Sequence, residues 1–180
     1  YRNSDGQWAE QRRRIDGDDG DATVLLGASR VLFDIDLDTW ERVAGERPIQ
    51  LAVEGTTPLP MLEDLADDPD FSGRVLVGVA PDVFFSGFAY RGEIRDYYQD
   101  QTPSQRFADW LSMSVLEPRV AYYGDADFAF FTVLERQPWP PRTGMPNFIE
   151  VRKLSMSERD RNTRMWWKVE RDAEYRALCR

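Results

Sequence analysis

The chain contains three short apolar runs that are spaced like strands joined by helices. They cover residues 23–26, 49–53 and 74–79 and are rich in valine, leucine and isoleucine. Near-continuous aliphatic runs of this length are typical of strands that are covered on both faces, as in a parallel sheet. The pattern therefore predicts three parallel strands.

Amphipathic helices are predicted between these strands. Asp38 and Glu41 form a variant of the capping box and begin a helix that ends near Ala44, before Gly45. A second helix begins at residues 57–58, where a threonine precedes a proline. It carries three apolar residues on one face: Met61, Leu62 and Leu65. The order β-α-β-α-β predicts an α/β fold, specifically a three-layer α/β/α (flavodoxin-like) parallel sheet.

Four segments are predicted along the chain, with this core at residues 22–82. Residues 1–21 contain a short helix, with Trp8, Arg12 and Ile15 on one face, and an acidic turn. The acidic runs of the chain lack the glycine and glutamate positions of a calcium loop, which favours a solvated turn and a helix cap.

The strand pattern stops after Pro81, where aromatic residues become frequent. A helix is predicted to begin at residues 102–103 and to end before Pro118. Its apolar face carries Phe107, Trp110, Leu111 and Val115. Further predictions are a helix over 126–135 and an extended connection over 137–141. Residues 83–150 are thus predicted as a helical, aromatic-rich insertion and residues 151–180 as a charged, mostly helical tail.

A sheet of three strands leaves both of its edges open, and open sheets usually contain more strands. We therefore expect an incomplete sheet, with two or more strands supplied from beyond Arg180. The alternative is a small sheet that the helical second half covers. Because the chain begins at Tyr1, we also expect a fragment or processed product, which leaves room for an upstream membrane anchor.

Charge and composition exclude several kinds of partner and catalytic site. The chain has 23 Lys plus Arg against 32 Asp plus Glu, a net charge of −9 that argues against nucleic acid and anionic membranes as main partners. It has no histidine, which excludes a Ser-His-Asp, Cys-His or His-ligated metal site built from these residues alone. A single cysteine, Cys179, allows no internal disulfide. No apolar stretch approaches the roughly 20 residues of a spanning helix. We expect no cofactor, no metal, and membrane attachment only through a missing anchor.

The strongest chemical signal is the segment Gly27-Ala28-Ser29-Arg30, which directly follows the first strand. Side chains and free N–H groups converge on the ligand crevice at the carboxyl end of a parallel strand. Ser29 is either a nucleophile with backbone N–H groups as oxyanion donors or simply a cap for the next segment. Arg30 either binds an anionic group of a substrate or pairs with a nearby carboxylate.

The three segments that follow the strands resemble the N-terminal half of the SGNH (GDSL-type) hydrolase superfamily. Residues 27–29 match the family's Gly-Asp-Ser block, with Ala28 in place of the aspartate. Gly55 matches the glycine of the second block. The segment from Gly78 to Asp82 looks like the third block, Gly-x-Asn-Asp, but contains no asparagine. The resemblance covers residues 22–82.

This resemblance implies a serine esterase or O-acyltransferase-like domain that acts on an ester of a carbohydrate or lipid. Ser29 would be the nucleophile, the N–H groups of Ser29 and Gly55 the oxyanion donors, and Arg30 and Thr56 substrate contacts. The family's Asp-x-x-His block, which supplies the base, would lie beyond Arg180. The members that the chain looks most like are bacterial proteins tethered outside the cytoplasmic membrane, so an extracytoplasmic location is expected.

Two other functions stay open. Ala28, the missing asparagine and the absence of histidine suit a domain that keeps the fold but only binds a glycan or another small ligand. The insertion or the tail could instead serve as the contact surface of a cell-envelope assembly.

Residues 83–150 either form a lid over the strand ends or only build a second core. The sequence predicts no oligomeric state.

Overall fold

A small parallel sheet with helices around it forms the centre of the computed structural model, which describes residues 1, 3–88, 91, 93–120, 123 and 155–165. Its strands are β1 (Thr23–Gly27), β2 (Ile49–Gln50) and β3 (Arg74–Gly78), in the order β2-β1-β3. Both pairings are parallel, with Val24 opposite Ile49 and Gly27 opposite Gly78. The prediction of an α/β protein is confirmed.

Eight α-helices are described around this sheet. They are α1 (Asp5–Arg13), α2 (Ser29–Asp34), α3 (Leu37–Ala44), α4 (Leu59–Ala66), α5 (Pro81–Phe84), α6 (Ile94–Asp100), α7 (Pro103–Leu111) and α8 (Glu117–Arg119). A π-helical segment (Ser112–Leu116) joins α7 to α8, and an antiparallel hairpin is formed by β4 (Ser155–Ser157) and β5 (Thr163–Met165). In the part of the chain that the structure describes, no helix has the length and apolar character needed to cross a membrane.

The central strand β1 is buried along its whole length. Val24 and Leu26 belong to one apolar cluster, and Leu25, which points to the opposite face of a strand, belongs to another. The first cluster contains residues of α1, α4 and α6, and the second contains residues of α2 and α3. Beyond β2, the N–H groups of Leu51 and Val53 still donate to carbonyl oxygens of β1, both at 3.0 Å. The predicted run over 49–53 therefore follows β1 to its end.

Helix α1 packs directly into the first cluster. Trp8 of this helix is fully buried and Arg12 is nearly so. Ile15, which the prediction placed on the same helix face, is also fully buried but lies two residues past the end of α1. The indole N–H of Trp8 donates to the Leu51 carbonyl at 2.9 Å, so the helix is hydrogen-bonded to the chain that continues β2. The guanidinium of Arg12 pairs with Asp64 of α4 at 2.7 Å. These contacts make the N-terminal segment part of the main core.

Helix α3 begins two residues earlier than the sequence predicts. Its N-cap is Asp36, whose carboxylate accepts the N–H of Thr39 at 2.7 Å, and not Asp38. Hydrogen bonds from the side chain and the backbone of Thr39 lower the pKa of Asp36. The helix ends at Gly45 as predicted, because this residue adopts a φ of +79° that a glycine reaches without strain.

Residues 155–165 form a hairpin where the sequence predicts part of a charged helix. At its turn, Arg161 is fully buried and donates to the carbonyl groups of Gln50 at 2.9 Å and Ala52 at 2.8 Å. These two carbonyls point away from β1, along the outer edge of β2. Burial lowers the pKa of Arg161 to about 9, which leaves it a cation at neutral pH. The prediction of a helix was wrong here, and Arg161 instead satisfies the carbonyls of a sheet edge. The rest of the predicted tail lies outside the described residues.

The second half is helical as far as it is described. Helix α7 begins with a capping box formed by Thr102 and Gln105, in agreement with its predicted start. The helical path continues past Pro118, which the prediction placed after its end. The π-helical turn before this proline widens the backbone ladder, so that a residue without an N–H is accommodated. The predicted helix over 126–135 and the connection over 137–141 lie outside the described residues.

Candidate active site

A pocket of about 250 Å³ lies where β1 and β3 end side by side. It is lined by residues that follow the two strands: Ala28, Ser29, Arg30, Val31, Gly78, Val79, Ala80 and Val83. The chain leaves β1 towards β2 and returns to β3 on the other side of β1. The ends of β1 and β3 are therefore a topological switch point, the place where open α/β sheets bind ligands.

Two glycines allow α2 to sit directly on these strand ends. A Cβ atom on Gly78 would lie 2.1 Å from Cγ2 of Val31, and one on Gly27 would lie 2.5 Å from the same atom. Valine is stiff about χ1, so it has little freedom to move aside. The two glycines thus set how closely the first turn of α2, which contains Ser29, approaches the sheet.

Ser29 is the first residue of α2 and is half-buried. Its hydroxyl makes no hydrogen bond with any residue that the structure describes, and it lines the pocket. The N–H groups of Ser29 and Arg30 also find no acceptor there, because the first turn of a helix leaves its donors unpaired. A hydroxyl group and two backbone donors are therefore free at this point of the chain.

Arg30 is exposed beside the pocket. The sequence leaves two roles open for Arg30, and one of them is pairing with a carboxylate. In the described ranges Arg30 forms no such ion pair. Its guanidinium is thus available to an anionic ligand.

Gly55 lies beyond the end of β2, on the other side of β1 from β3. Val53 donates its N–H to the carbonyl of Gly27 at 3.0 Å, which places Gly55 two residues past this contact. The φ of Gly55 is +69°, a left-handed conformation that favours glycine. Gly55 does not line the pocket. Thr56 does not line it either, and its fully buried hydroxyl has no hydrogen-bond partner among the described residues.

Long-range contacts hold the turn that contains Gly55. The carboxylate of Glu54 accepts hydrogen bonds from Arg91 at 2.9 Å and from Asn3 at 2.8 Å. After the glycine, Thr57 donates its N–H to the carbonyl of Phe88 at 2.9 Å. The backbone is therefore fixed on both sides of Gly55. Sequence reasoning missed these partners because single polar residues far along the chain give no local signal.

Only a small part of the predicted insertion reaches the pocket in the described structure. Val83 of α5 lines it, which the sequence did not single out, although it follows the helix-starting Pro81 by two residues. Helix α6 instead buries Ile94 in the first cluster and places Tyr98 edge-on to Trp8, with ring centroids 6.2 Å apart. A lid over the strand ends stays a prediction.

A larger cavity of about 500 Å³ lies between α1, α4 and α6 and is lined mainly by charged side chains. Arg12 forms ion pairs with Asp64 and Asp68 in this cavity, and the Tyr98 hydroxyl donates a hydrogen bond to Asp16. Within the described ranges, no group of three or more candidate ligands is placed to hold a metal ion. Arg12, Asp64 and Asp68 thus form a structural ion-pair cluster in this cavity.

No family model, curated protein or solved structure matches this chain. The SGNH resemblance of residues 22–82 therefore rests on their motifs.

Proposed function

We propose that this chain carries the N-terminal half of an SGNH-type serine esterase or O-acyltransferase-like domain, with Ser29 as the nucleophile. The observation that carries the proposal is the unpaired Ser29 hydroxyl in the pocket between the ends of β1 and β3. The order β2-β1-β3, with apolar clusters on both faces of β1, is in keeping with a three-layer, flavodoxin-like sheet. Further strands would add beyond β3, whose Leu76 is 40% exposed.

In the proposed reaction, Oγ of Ser29 forms a bond to the acyl carbon of an ester and loses its proton to a base. The alcohol leaves with a proton, and water or a second alcohol then releases the acyl group. The resemblance gives the oxyanion to the backbone N–H groups of Ser29 and Gly55, of which only Ser29 lines the pocket. Losing one such donor typically costs about 3–4 kcal/mol. Because the chain has no histidine, the proposal places the imidazole base and its aspartate outside these 180 residues.

The substrate class in this proposal is an ester of a carbohydrate or lipid. An extracytoplasmic, membrane-tethered location belongs to the same proposal, since both follow from the resemblance. Arg30, which is exposed and forms no ion pair in the described part of the chain, suits a substrate that carries a negative charge.

A fluorophosphonate probe tests the nucleophile. We expect the protein expressed from its complete gene to be labelled, the Ser29→Ala variant to remain unlabelled, and a Ser104→Ala variant to label like the wild type. Ser104 is a matched control because it is an exposed serine in the first turn of another helix, α7. Equal labelling of the Ser29→Ala variant, or no labelling of any form, would overturn the assignment.

A second candidate is a domain that binds a glycan or another ligand, or a partner in the cell envelope, without chemistry. The absence of histidine and the alanine at position 28 favour it. It predicts saturable ligand binding by a protein that the probe does not label. Ester hydrolysis that is lost in the Ser29→Ala variant would reject it.

A further inference from the structure

We infer that the pocket beside Ser29 accepts short aliphatic acyl chains of up to about six carbons, an inference that rests on the proposed function for its place in a reaction. The pocket measures about 250 Å³. For comparison, an apolar cavity of about 150 Å³ holds a benzene ring, and pockets for drug-sized ligands begin at about 300 Å³. Because the pocket must also hold a carboxyl group next to Ser29, roughly five further carbons fill the remainder, about six with the carboxyl carbon.

The walls of the pocket suit an apolar chain. Apart from Ser29 and Arg30, the lining residues that the structure describes are glycine, alanine or valine: Ala28, Val31, Gly78, Val79, Ala80 and Val83. Among the described residues, no acidic or aromatic side chain lines the pocket. An aliphatic group that leaves water for such surroundings gains affinity in proportion to the area that is buried.

The polar groups of the pocket come from Ser29 and Arg30. They comprise the Ser29 hydroxyl, two backbone N–H groups without an acceptor in the described ranges, and the exposed guanidinium of Arg30. Hydrogen-bond donors and a cation recognise a carboxylate or the oxyanion of an ester. The occupant is therefore an apolar tail with a single oxygen-rich head.

A rigid wall limits the length of the chain. Val31 is 7% exposed, and its Cγ2 lies against the backbone of Gly27 and Gly78. Backbone atoms of paired strands do not move aside as a flexible side chain would. Val79, which also lines the pocket, is 53% exposed, so a longer chain that extends past it reaches solvent and gains little.

Calorimetric titration with straight-chain carboxylates tests the inference without requiring catalysis. The probes are acetate, butanoate, hexanoate, octanoate and decanoate, and the protein is that expressed from its complete gene. We expect the affinity to rise about fourfold per methylene up to hexanoate and then to level off. Val83→Phe should move this plateau to butanoate, and Val83→Ala should move it towards octanoate. Val43→Phe, at an 80% exposed valine of α3, should leave the profile unchanged.

An affinity that rises steadily to decanoate, binding of none of the acids, or the wild-type profile in both Val83 variants would overturn the inference. Circular dichroism shows whether each variant folds. If Val83→Phe does not fold, the chain-length profile of Val83→Ala tests the inference. The two proposals fail separately. If Ser29 is labelled but the affinity shows no chain-length limit, the acyl pocket is rejected and the nucleophile is retained. If the affinity shows the limit but Ser29 is not labelled, the esterase is rejected and the pocket is retained.

Discussion

Arg161 closes the outer edge of β2 with one guanidinium group. Besides the carbonyls of Gln50 and Ala52, the side chain of Asn3 accepts a hydrogen bond from it at 3.0 Å. Three acceptors thus satisfy the donors of a charge that is fully buried. The φ of Arg161 is +66°, a left-handed conformation that costs a residue other than glycine about 1–2 kcal/mol.

Replacing this side chain should measure its contribution. Arg161→Met removes the charged donors and leaves two buried carbonyls unpaired, so we expect the free energy of unfolding to fall by about 2–3 kcal/mol in urea denaturation. Arg164→Met, in the same hairpin, removes an ion pair to Glu158 from a side chain that is 60% exposed and should cost less than about 1 kcal/mol. Similar losses in both variants would contradict the role given to Arg161.

The site residues that the sequence identified are those next to a strand. Ser29 and Arg30 follow β1, and their place at its carboxyl end could be predicted from local pattern alone. Asn3, Arg91 and Arg161 could not be predicted in this way, because their partners lie 37 to 158 positions away along the chain. A polar residue that acts through such contacts leaves no periodicity or motif around itself.

At the scale of elements, the contact of α2 with the ends of β1 and β3 shapes the candidate site. Val31 lies over Gly27 and Gly78, which face each other in the sheet. A methyl group added to either glycine would push the first turn of α2, and with it Ser29, away from the strands. The close packing of one helix turn therefore determines the position of the candidate nucleophile.

A double-mutant cycle tests this contact. Gly78→Ala should lower the free energy of unfolding by about 1–3 kcal/mol through overpacking, and by at least about 1 kcal/mol less when Val31→Ala is also present. Gly17→Ala is the control, since its Cβ would meet nothing closer than 3.5 Å, and should stay within about 0.5 kcal/mol of the wild type. Additive effects of the Gly78 and Val31 substitutions would show that the two side chains do not meet.

Elements with a regular local pattern could be predicted, and those set by distant contacts could not. The strands, α4 and the end of α3 follow from apolar runs, helical periodicity and glycine. The start of α3 was placed two residues late because Asp36 and Asp38 are both chemically suitable caps. The hairpin over 155–165 was missed because its strands have only three residues each, too few to show an alternation.

For the molecule as a whole, α1 belongs to the same packed unit as the sheet. Trp8 is fully buried among residues of β1, α4 and α6, although the sequence places it in a segment before the core. Arg12 of this helix pairs with Asp64 of α4 and with Asp68, which follows α4. The N-terminal segment thus contributes to stability through both apolar burial and ion pairs.

Truncation of Trp8 should therefore destabilise the entire fold. We expect Trp8→Ala to lower the free energy of unfolding by about 3–5 kcal/mol, since it leaves a cavity and removes the hydrogen bond to Leu51. Trp110→Ala, at a tryptophan of α7 that is 49% exposed, should cost about 1 kcal/mol or less. Urea denaturation followed by far-ultraviolet circular dichroism measures both values. A loss below 1 kcal/mol for Trp8→Ala would mean that α1 is not part of the cooperative unit.

The contact of Arg161 with the outer edge of β2 has a consequence during synthesis of the chain. Arg161 is made 111 residues after Gln50, whose carbonyl it satisfies. At the usual rate of translation, synthesis of the chain from Gln50 to Arg161 takes roughly 6 to 22 s. Until Arg161 has been made, its guanidinium cannot contact the outer carbonyls of β2. The outer edge of the sheet is therefore completed late in the synthesis of the chain.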